Sequence, residues 1–433
     1  MKQFASESGL HWPKTREEYN GLTKRAWDYG KHYSRNMTEL FFPTDQAWKH
    51  FNEFADLLQL AEPYNSRSTA DELKQNLKGA MFTFLKGGEL PDTVSELLHA
   101  MNNGYLKELE NYCARSFCRL EGIELEFEHF VRVGNCWIGK YGLISLARTL
   151  EQDVEWTKAV PGMLERVFDE DTPVIVGDIV TGSHDLTAEI SSNQCDLALA
   201  LIQVLINLSF DAAFRKLSNI IRFDSGASGS SHHLQFRLYG DNYLLDKISI
   251  ESNSGGIPYI LNSQVIADWY EYFQLQLINS VISKGKYSNN NLLIRLENSV
   301  LFFRQATMQK SPDMQLATLW ISIESFFTAN NGAIGEANIS GLVTITQKTL
   351  RKEFWPATAK NVEELESLLK KHYGKRSRTF HHGKRDNVSL AEVQEFSILV
   401  SNLIICVAIA VGRGLSSIEE LLQQAKHFRS VQE

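Results

Sequence analysis

An arginine and a histidine near the C-terminal end of the chain have residue types and a spacing suited to chemistry on a phosphate. Arg376 is followed by His381 after four intervening residues. A histidine titrates at about pH 6.5 and can move a proton during a reaction. An arginine stays charged and forms forked hydrogen bonds with phosphate oxygens. Arg376 is thus suited to be a phosphate clamp, and His381 a general acid or base.

The segment around this pair is basic, although the chain carries a formal net charge of -8. Residues 367–385 contain no Asp or Glu and seven Lys or Arg residues. A net negative charge argues against a protein that coats nucleic acid with its whole surface, but a local basic patch can still bind phosphates. We expect Lys375, Arg378, Lys384 and Arg385 to hold backbone phosphates. A solvated surface is the plain alternative.

The sequence around the pair resembles the HEPN superfamily, and within it the Apea-like HEPN domains. That motif has an Arg-Ser, two variable residues, an apolar residue, a His and a nearby Gly. Here Arg376-Ser377, Phe380, His381 and Gly383 follow in the same order. An earlier Glu followed by a small and a bulky residue also fits, as Glu324-Ser325-Phe326. The resemblance covers roughly residues 290–430, about a third of the chain.

This resemblance implies a helical bundle with a metal-independent endoribonuclease site and no cofactor. In the family, two protomers bring two Arg/His pairs together in one cleft, so we expect a homodimer through the C-terminal bundle. The 2′-hydroxyl of the RNA would attack the adjacent phosphorus. Glu324 would bond Arg376 from a facing helix, with a half-exposed surface Glu as an equal alternative. The family's association with toxins and anti-phage abortive infection implies a defence or toxin effector.

Several alternatives stay open at the motif itself. His382 can replace His381 with five intervening residues, although the position of Gly383 favours His381. Ser377 either caps a following turn, which we favour, or touches phosphate. Many members of the superfamily have lost the motif, so the alternative function is a non-catalytic module that binds RNA or nucleotide, or scaffolds a partner.

Other residue sets in the chain have weaker claims to chemistry. Arg25 and His32 are separated by six residues but lack the neighbouring Ser and Gly. Asp178, Asp185 and Glu189 share one stretch, as a metal-dependent nuclease would need, but no catalytic lysine follows at a useful spacing. We therefore expect no metal site.

Amphipathic helices are the elements that must position the pair. Leu316, Leu319, Trp320 and Ile323 recur at three- and four-residue steps. A later helix is predicted to start at a capping box of Asn361 and Glu364 and to end near His372. Eight apolar residues between 396 and 411 form another stripe. These helices predict a bundle, with the motif in the segment that joins the last two.

The predicted fold is α+β and predominantly α-helical, in three parts. Residues 1–115 form a helical N-terminal region of unknown function. Residues 116–262 form a mixed α/β region, a possible sensor, with a strand at residues 174–176, a long apolar helix from Leu197, and a hairpin around Gly240-Asp241. Residues 263–433 form the helical HEPN domain, in which Ser263 is expected to cap a helix that runs past Ile278. An unknown trigger ligand or phage protein is expected at the N-terminal regions.

The composition favours a globular cytoplasmic protein without a membrane span. Hydrophobic residues make up 43% of the chain and charged residues 22%. The first residues lack the apolar core of a secretory signal. The longest uncharged run, residues 396–412, is marginal for a span and is predicted to be a buried helix. The five cysteines are expected to be reduced thiols.

Overall fold

The computed structural model describes residues 27–28, 40–41, 45–87, 93–111, 113–120, 122–144, 168–209, 231–239, 242–251, 259–282, 291–309, 311–327, 361–383, 387–417, 419–420 and 423. The chain divides into two compact units. The smaller unit consists of Met1–Ala114, Ile179–Ile190 and Arg237–Leu244, and the larger unit of Arg115–Asp178, Ser191–Phe236 and Leu245–Glu433. The division after Ala114 lies next to the predicted boundary at residue 115. Most of residues 116–262 belong to the same unit as the C-terminal helices.

The smaller unit is mainly helical. Its helices are α1 (Asp45–Gln59), α2 (Tyr64–Arg67), α3 (Ala70–Gly87) and α4 (Val94–Asn111). Two short strands, β1 (Trp27–Asp28) and β2 (Leu40–Phe41), pair in an antiparallel manner. Apolar residues at four-residue steps, such as Leu73 with Leu77 and Leu97 with Met101, lie on one side of their helices and form a buried core.

Most residues of a mostly antiparallel sheet belong to the larger unit. The strands of this sheet are β3 (Cys113–Arg119), β5 (Val131–Val133), β6 (Cys136–Lys140), β7 (Pro173–Gly177), β9 (Ser231–Tyr239) and β10 (Asn242–Glu251). They follow the order β10-β9-β3-β7-β6-β5. Strand β8 (Val180–Thr181) belongs to the smaller unit and pairs there with Cys113 and Ala114 at the start of β3. Strands β4 (Ile123–Glu126) and β11 (Tyr259–Asn262) pair in parallel. The predicted strand at residues 174–176 and the predicted hairpin are both confirmed.

Eight helices complete the described elements. They are α5 (Tyr141–Ile144), α6 (His184–Leu208), α7 (Ser263–Glu271), α8 (Leu275–Ile282), α9 (Asn291–Met308), α10 (Pro312–Phe327), α11 (Val362–His382) and α12 (Leu390–Gly412). Apolar residues of α6 to α12 join those of strands β4 to β7 and β11 in one continuous core. Inside that core, Asn207 of α6 donates to the hydroxyls of Ser397 and Ser401 at 3.2 and 2.9 Å, which satisfies buried polar groups. The fold is α+β and predominantly helical, as predicted, and the described cysteines 118, 136, 195 and 406 are free thiols.

Three helices differ from their predicted bounds. The long apolar helix predicted from Leu197 begins at His184. The helix predicted to run from Ser263 past Ile278 is split into α7 and α8, because Gln274 adopts a left-handed conformation with φ of 53°. Its N-cap is Asn262 rather than Ser263, since the Asn262 side chain accepts a hydrogen bond from the Val265 N–H at 3.0 Å. The helix predicted to end near His372 continues for ten more residues.

Among the described helices, α12 is long and apolar enough to cross a membrane by length and composition alone. However, 61% of its most apolar 18-residue window is buried inside the protein. This burial agrees with the prediction that residues 396–412 form a buried helix, and core helices of this kind commonly pass the same length and hydropathy test.

The packing of α12 generates a stability prediction at Phe396. This side chain is fully buried, with ring-centre distances of 5.2 Å to Trp320 and 5.1 Å to His372. We expect Phe396→Ala to lower the free energy of unfolding by about 3–5 kcal/mol, because it leaves a cavity in the core. Leu390→Ala on the same helix, where the side chain is 54% exposed, should change it by no more than about 0.5 kcal/mol. Equilibrium unfolding in denaturant measures both, and similar losses for the two variants would contradict this packing.

Candidate functional site

The motif lies in the last turns of α11, not in a segment between helices. Arg376, Ser377 and His381 are all helical. Gly383 ends the helix in a left-handed conformation with φ of 61°, and its N–H donates to the carbonyl of Arg378. Glycine adopts this conformation without the steric cost of a Cβ atom. The expectation of a connecting segment is therefore corrected.

The start of α11 explains why the helix forms. The Asn361 side chain accepts a hydrogen bond from the Glu364 N–H at 2.9 Å, as the predicted N-cap requires. In return, the Glu364 carboxylate accepts a hydrogen bond from the side-chain amide of Asn361 at 3.3 Å, rather than from the Asn361 backbone N–H. Acidic residues at the start and basic residues toward the end also suit the helix dipole.

Arg376 is held between a carboxylate and two aromatic rings. Its Nη2 atom donates to Oε2 of Glu324 at 2.7 Å, and the two side chains are only 16% and 12% exposed. Its guanidinium carbon lies 5.3 Å from the ring centre of Phe380 and 5.9 Å from that of Tyr373. The pairing that was expected of Glu324 is present, and Glu324 is nearly buried rather than half-exposed.

The packing of α10 against α11 places this ion pair. Trp320 lies one turn before Glu324, and its ring meets that of Tyr373 edge-on at 5.5 Å. Residues three or four apart lie on the same side of a helix. The aromatic contact and the ion pair therefore lie next to each other in the same α10–α11 interface. Removal of either charge would leave the other nearly buried and uncompensated, at a cost of about 3–5 kcal/mol.

Lys375 and Lys371 contact the start of α12. Their Nζ atoms lie 2.7 and 3.3 Å from Oε1 of Glu392. The other carboxylate oxygen accepts the backbone N–H of Ser389 at 3.0 Å, within a capping box. Burial alone would raise the pKa of Glu392, but hydrogen bonds from Lys375, Ser389 and Lys371 outweigh it and lower that pKa to about 2. Lys375, expected to bind phosphate, is thus 12% exposed and ties α11 to α12.

A buried histidine lies one turn before Arg376. His372 is 1% exposed and packs on Phe396. Within the described part of the chain its Nδ1 atom has no hydrogen-bond partner. Burial lowers the pKa of His372 to about 4, against the opposing charge of Glu392 and with the help of Lys375 and Lys371. The ring is therefore neutral near pH 7.

The other predicted site residues fall into two groups. Ser377 is half-buried inside α11, so it caps no following turn, and Ser389 caps the next helix instead. Arg378 is exposed. His381 and His382 have helical backbones, but their side chains lie outside the described part of the structure, as do Lys384, Arg385, Arg25 and His32 entirely.

Helix geometry separates the arginine from the histidine around α11. A helix turns by about 100° per residue, so His381 lies about 140° around the helix from Arg376. His382, six residues on, lies about 120° away in the other direction. The residues in line with Arg376 at four-residue steps are His372 and Phe380. In one copy of α11, the position of Arg376 and that of either histidine are therefore not on the same side of the helix.

Sequence reasoning missed Glu392 and His372. The Ser389-to-Glu392 spacing is a capping-box pattern and could have been read from the sequence. The contact of Glu392 with Lys375 joins two different helices, and no local sequence pattern signals such a contact. His372 was expected only to lie near a helix end, and its burial against Phe396 is a tertiary contact that the local sequence does not signal.

Carboxylates considered for a metal site have other contacts. Asp178 accepts hydrogen bonds from Arg132 through both of its oxygens. Among the residues that the structure describes, no group of three or more His, Cys, Asp or Glu side chains is arranged to hold a metal ion.

The low pKa of His372 predicts a loss of stability in acid. The unfolded ring protonates near its usual pKa of 6.5 and the folded ring at about 4. The unfolded state therefore binds more protons within this window, so the free energy of unfolding should fall by about 3 kcal/mol as the pH drops through it. His372→Phe keeps a flat ring and should remove this contribution. Denaturant unfolding of the wild type and of His372→Phe at about pH 7 and about pH 4.5 measures this contribution. If both proteins lost the same free energy of unfolding between the two pH values, the prediction would be contradicted.

No protein-family model matches this chain, and neither does any curated protein or any solved structure. What the site does is therefore inferred from the side chains and helices described above, together with the resemblance of the motif.

Proposed function

We propose that the larger unit is a metal-independent endoribonuclease of the HEPN type. The observation that carries this proposal is the 2.7 Å contact between Glu324 and Arg376, on the helix that also carries His381. A nearly buried carboxylate fixes an arginine at the position where the resemblance implies a phosphate clamp. The order of residues from Arg376 to Gly383 supports the same assignment.

Arg376 stabilises the charge that develops on the phosphate. Glu324 sets the direction of the guanidinium, and the rings of Phe380 and Tyr373 confine its plane. A side chain held in this way loses little further freedom when it binds a ligand. Its planar group and permanent charge suit the oxygens of a phosphate that gains negative charge in the transition state.

His381 transfers protons in the proposed reaction. The 2′-hydroxyl of the RNA gives its proton to a neutral imidazole and attacks the adjacent phosphorus. The bond from phosphorus to the 5′-oxygen breaks, and a protonated imidazole supplies a proton to that oxygen. The products are a 2′,3′-cyclic phosphate and a 5′-hydroxyl. One histidine as base and another as acid would complete the reaction without a metal ion.

A second copy of the chain would supply the other histidine. Because His381 lies about 140° around the helix from Arg376, a cleft between two copies of α11 brings both residue types together more readily than one copy does. Phe380 is 41% exposed at this end of the bundle, so apolar surface is present for self-association. The proposal therefore includes a homodimer through the C-terminal bundle.

The basic residues divide their roles in this proposal. Lys375 positions α11 through Glu392. Arg378 is exposed, and Lys384 and Arg385 follow the end of the helix in the sequence, so these three would hold the RNA backbone. Such contacts weaken as salt concentration rises.

The role in the cell follows from the resemblance. We propose a cytoplasmic defence or toxin effector, of the kind associated with anti-phage abortive infection. The N-terminal regions would receive the trigger, a ligand or a phage protein, and the larger unit would cut RNA.

One observation favours the alternative of a non-catalytic module. The charge of Arg376 is balanced by a nearly buried Glu324. A structural ion pair of this kind can hold a bundle that binds RNA or scaffolds a partner without cutting RNA.

His381→Ala is expected to abolish RNA cleavage in the presence of EDTA, with a rate loss of at least about a hundredfold, because it removes the proton-transfer group. Purified protein is incubated with total RNA, and the ends of the products are identified by mass spectrometry. Wild-type products should carry 2′,3′-cyclic phosphates. Products with only 3′-hydroxyl ends would rule out attack by the 2′-hydroxyl.

Controls for this experiment separate chemistry from stability. Arg376→Ala leaves Glu324 uncompensated, so the double variant Glu324→Gln with Arg376→Gln is the better test of the clamp and should also be inactive. Arg25→Ala and His382→Ala should keep activity. If His382→Ala is inactive and His381→Ala is not, His382 is the catalytic residue. If none of the motif variants loses activity, the non-catalytic alternative replaces this proposal.

The composite site predicts that activity depends on dimer formation. Light scattering should give twice the mass of one chain, and the rate per chain should fall when dilution separates the dimer. A monomer that stays fully active at nanomolar concentration would contradict the composite site.

A further inference from the structure

A cavity of about 490 Å³ lies between the β5–β6 hairpin and helices α7 and α8 of the larger unit. This volume falls within the range of small-molecule sites, about 300–1,000 Å³. Three aromatic side chains line it, Phe130, Trp137 and Tyr270, together with Arg132 and polar side chains of α8. None of these residues belongs to the motif of α11, so the cavity calls for an explanation beyond the proposed ribonuclease.

A glycine creates the flat wall on the sheet side. Trp137 and Gly139 are two residues apart in β6 and so lie on the same face of the sheet. The ring of Phe130 rests on Gly139, where an added Cβ atom would come within 2.6 Å of it. Any other residue at position 139 would force the ring away. Phe130 and Trp137 therefore form adjacent aromatic surfaces in the cavity.

Arg132 adds a planar group whose charge is balanced. Its guanidinium carbon lies 5.0 Å from the ring centre of Trp137. Both terminal nitrogens donate to the carboxylate of Asp178, Nη1 at 3.2 Å. Because Asp178 balances the charge, the cavity has little attraction for an isolated anion. Stacking on flat groups is the stronger contribution that it can offer to a ligand.

Hydrogen bonds from α8 hold the walls together. Asn279 is 8% exposed. Its Oδ1 atom accepts the N–H of Gly134, in the turn of the hairpin, at 2.7 Å, and its Nδ2 atom donates to the carbonyl of Arg132 at 2.8 Å. The cavity is thus formed before any ligand arrives, which lowers the entropy cost of binding.

We propose that this cavity binds a nucleobase, either of a free nucleotide or of an unpaired position in a nucleic-acid strand. A base is planar and uncharged, which suits three aromatic side chains and a charge-balanced arginine. Proteins generally hold unpaired bases by stacking them on aromatic rings and on guanidinium planes.

The rim of the cavity suits the polar edge of a base. The amide of Gln276 can both donate and accept a hydrogen bond. The hydroxyl of Ser280 donates to the Leu277 carbonyl at 2.7 Å, and its oxygen can also accept. An aliphatic ligand would leave these groups without partners, and a lone phosphate would meet an arginine already paired with Asp178.

Calorimetric titration of the full chain tests this proposal. One set of probes is the four ribonucleoside monophosphates, and the other is a short mixed-sequence strand with 2′-O-methyl groups, which cannot be cut by 2′-hydroxyl attack. Tyr270→Ala should weaken binding about tenfold, as expected for the loss of one stacked ring. Tyr272→Ala is the matched control, because both tyrosines are 41% exposed and Tyr272 does not line the cavity. Gln276→Ala, at an exposed position, is a second variant expected to weaken binding.

Each outcome decides one point. Binding of monophosphates that Tyr270→Ala weakens identifies a free nucleotide as the source of the base. Binding of the strand alone, weakened by the same variant, identifies an unpaired base. The proposal is overturned if no probe binds, or if Tyr270→Ala and Gln276→Ala bind as the wild type does. A protein that cuts RNA but binds no probe contradicts this proposal alone. One that binds but does not cut contradicts only the ribonuclease.

Discussion

The ion pair of Glu324 and Arg376 constrains the whole region around the motif, because a nearly buried charge is tolerated only when its partner is held in place. Holding the partner requires α10 and α11 to stay in register, and the contact of Trp320 with Tyr373 keeps them there. Phe396 of α12 packs behind the same tryptophan. A flexible segment at position 376 would leave Glu324 without its partner. The helical form of the motif is thus as much a consequence of this pairing as of local helix propensity.

The positive charges of α11 pair with carboxylates of two neighbouring helices. Arg376 meets a carboxylate of α10, whereas Lys371 and Lys375, four residues apart and on one side of the helix, meet Glu392 of α12. Glu392 also caps α12, so one carboxylate both starts that helix and fixes its neighbour. The basic segment is therefore not a uniform phosphate-binding face. Lys371 and Lys375 serve the packing of the bundle, whereas Arg378 is exposed.

The features that the sequence could predict are those that neighbouring residues along the chain determine. The apolar spacing of α10 and the cap at Asn361 are set within a few residues, and both were correctly predicted. The extension of α11 to His382 was not, because a stretch with Gly374 and no acidic residue gives little sign of a helix stabilised by Glu324 and Glu392 from other elements. The break at Gln274 was missed for a similar reason, since glutamine carries no local signal for a left-handed conformation.

Helix α12 connects the two candidate sites through one rigid element about 34 Å long. At its start Glu392 holds the helix of the motif, and at its end Gly412 packs against α8, where an added Cβ atom would come within 2.6 Å of Leu277. Leu277 lies between the residues of α8 that line the cavity. Physical continuity alone does not couple two sites. A ligand in the cavity would alter the motif only if α8 or α12 had two arrangements that bind the ligand differently. The close contact at Gly412 makes sliding of α8 along α12 costly, which favours a fixed scaffold in which each site acts by itself.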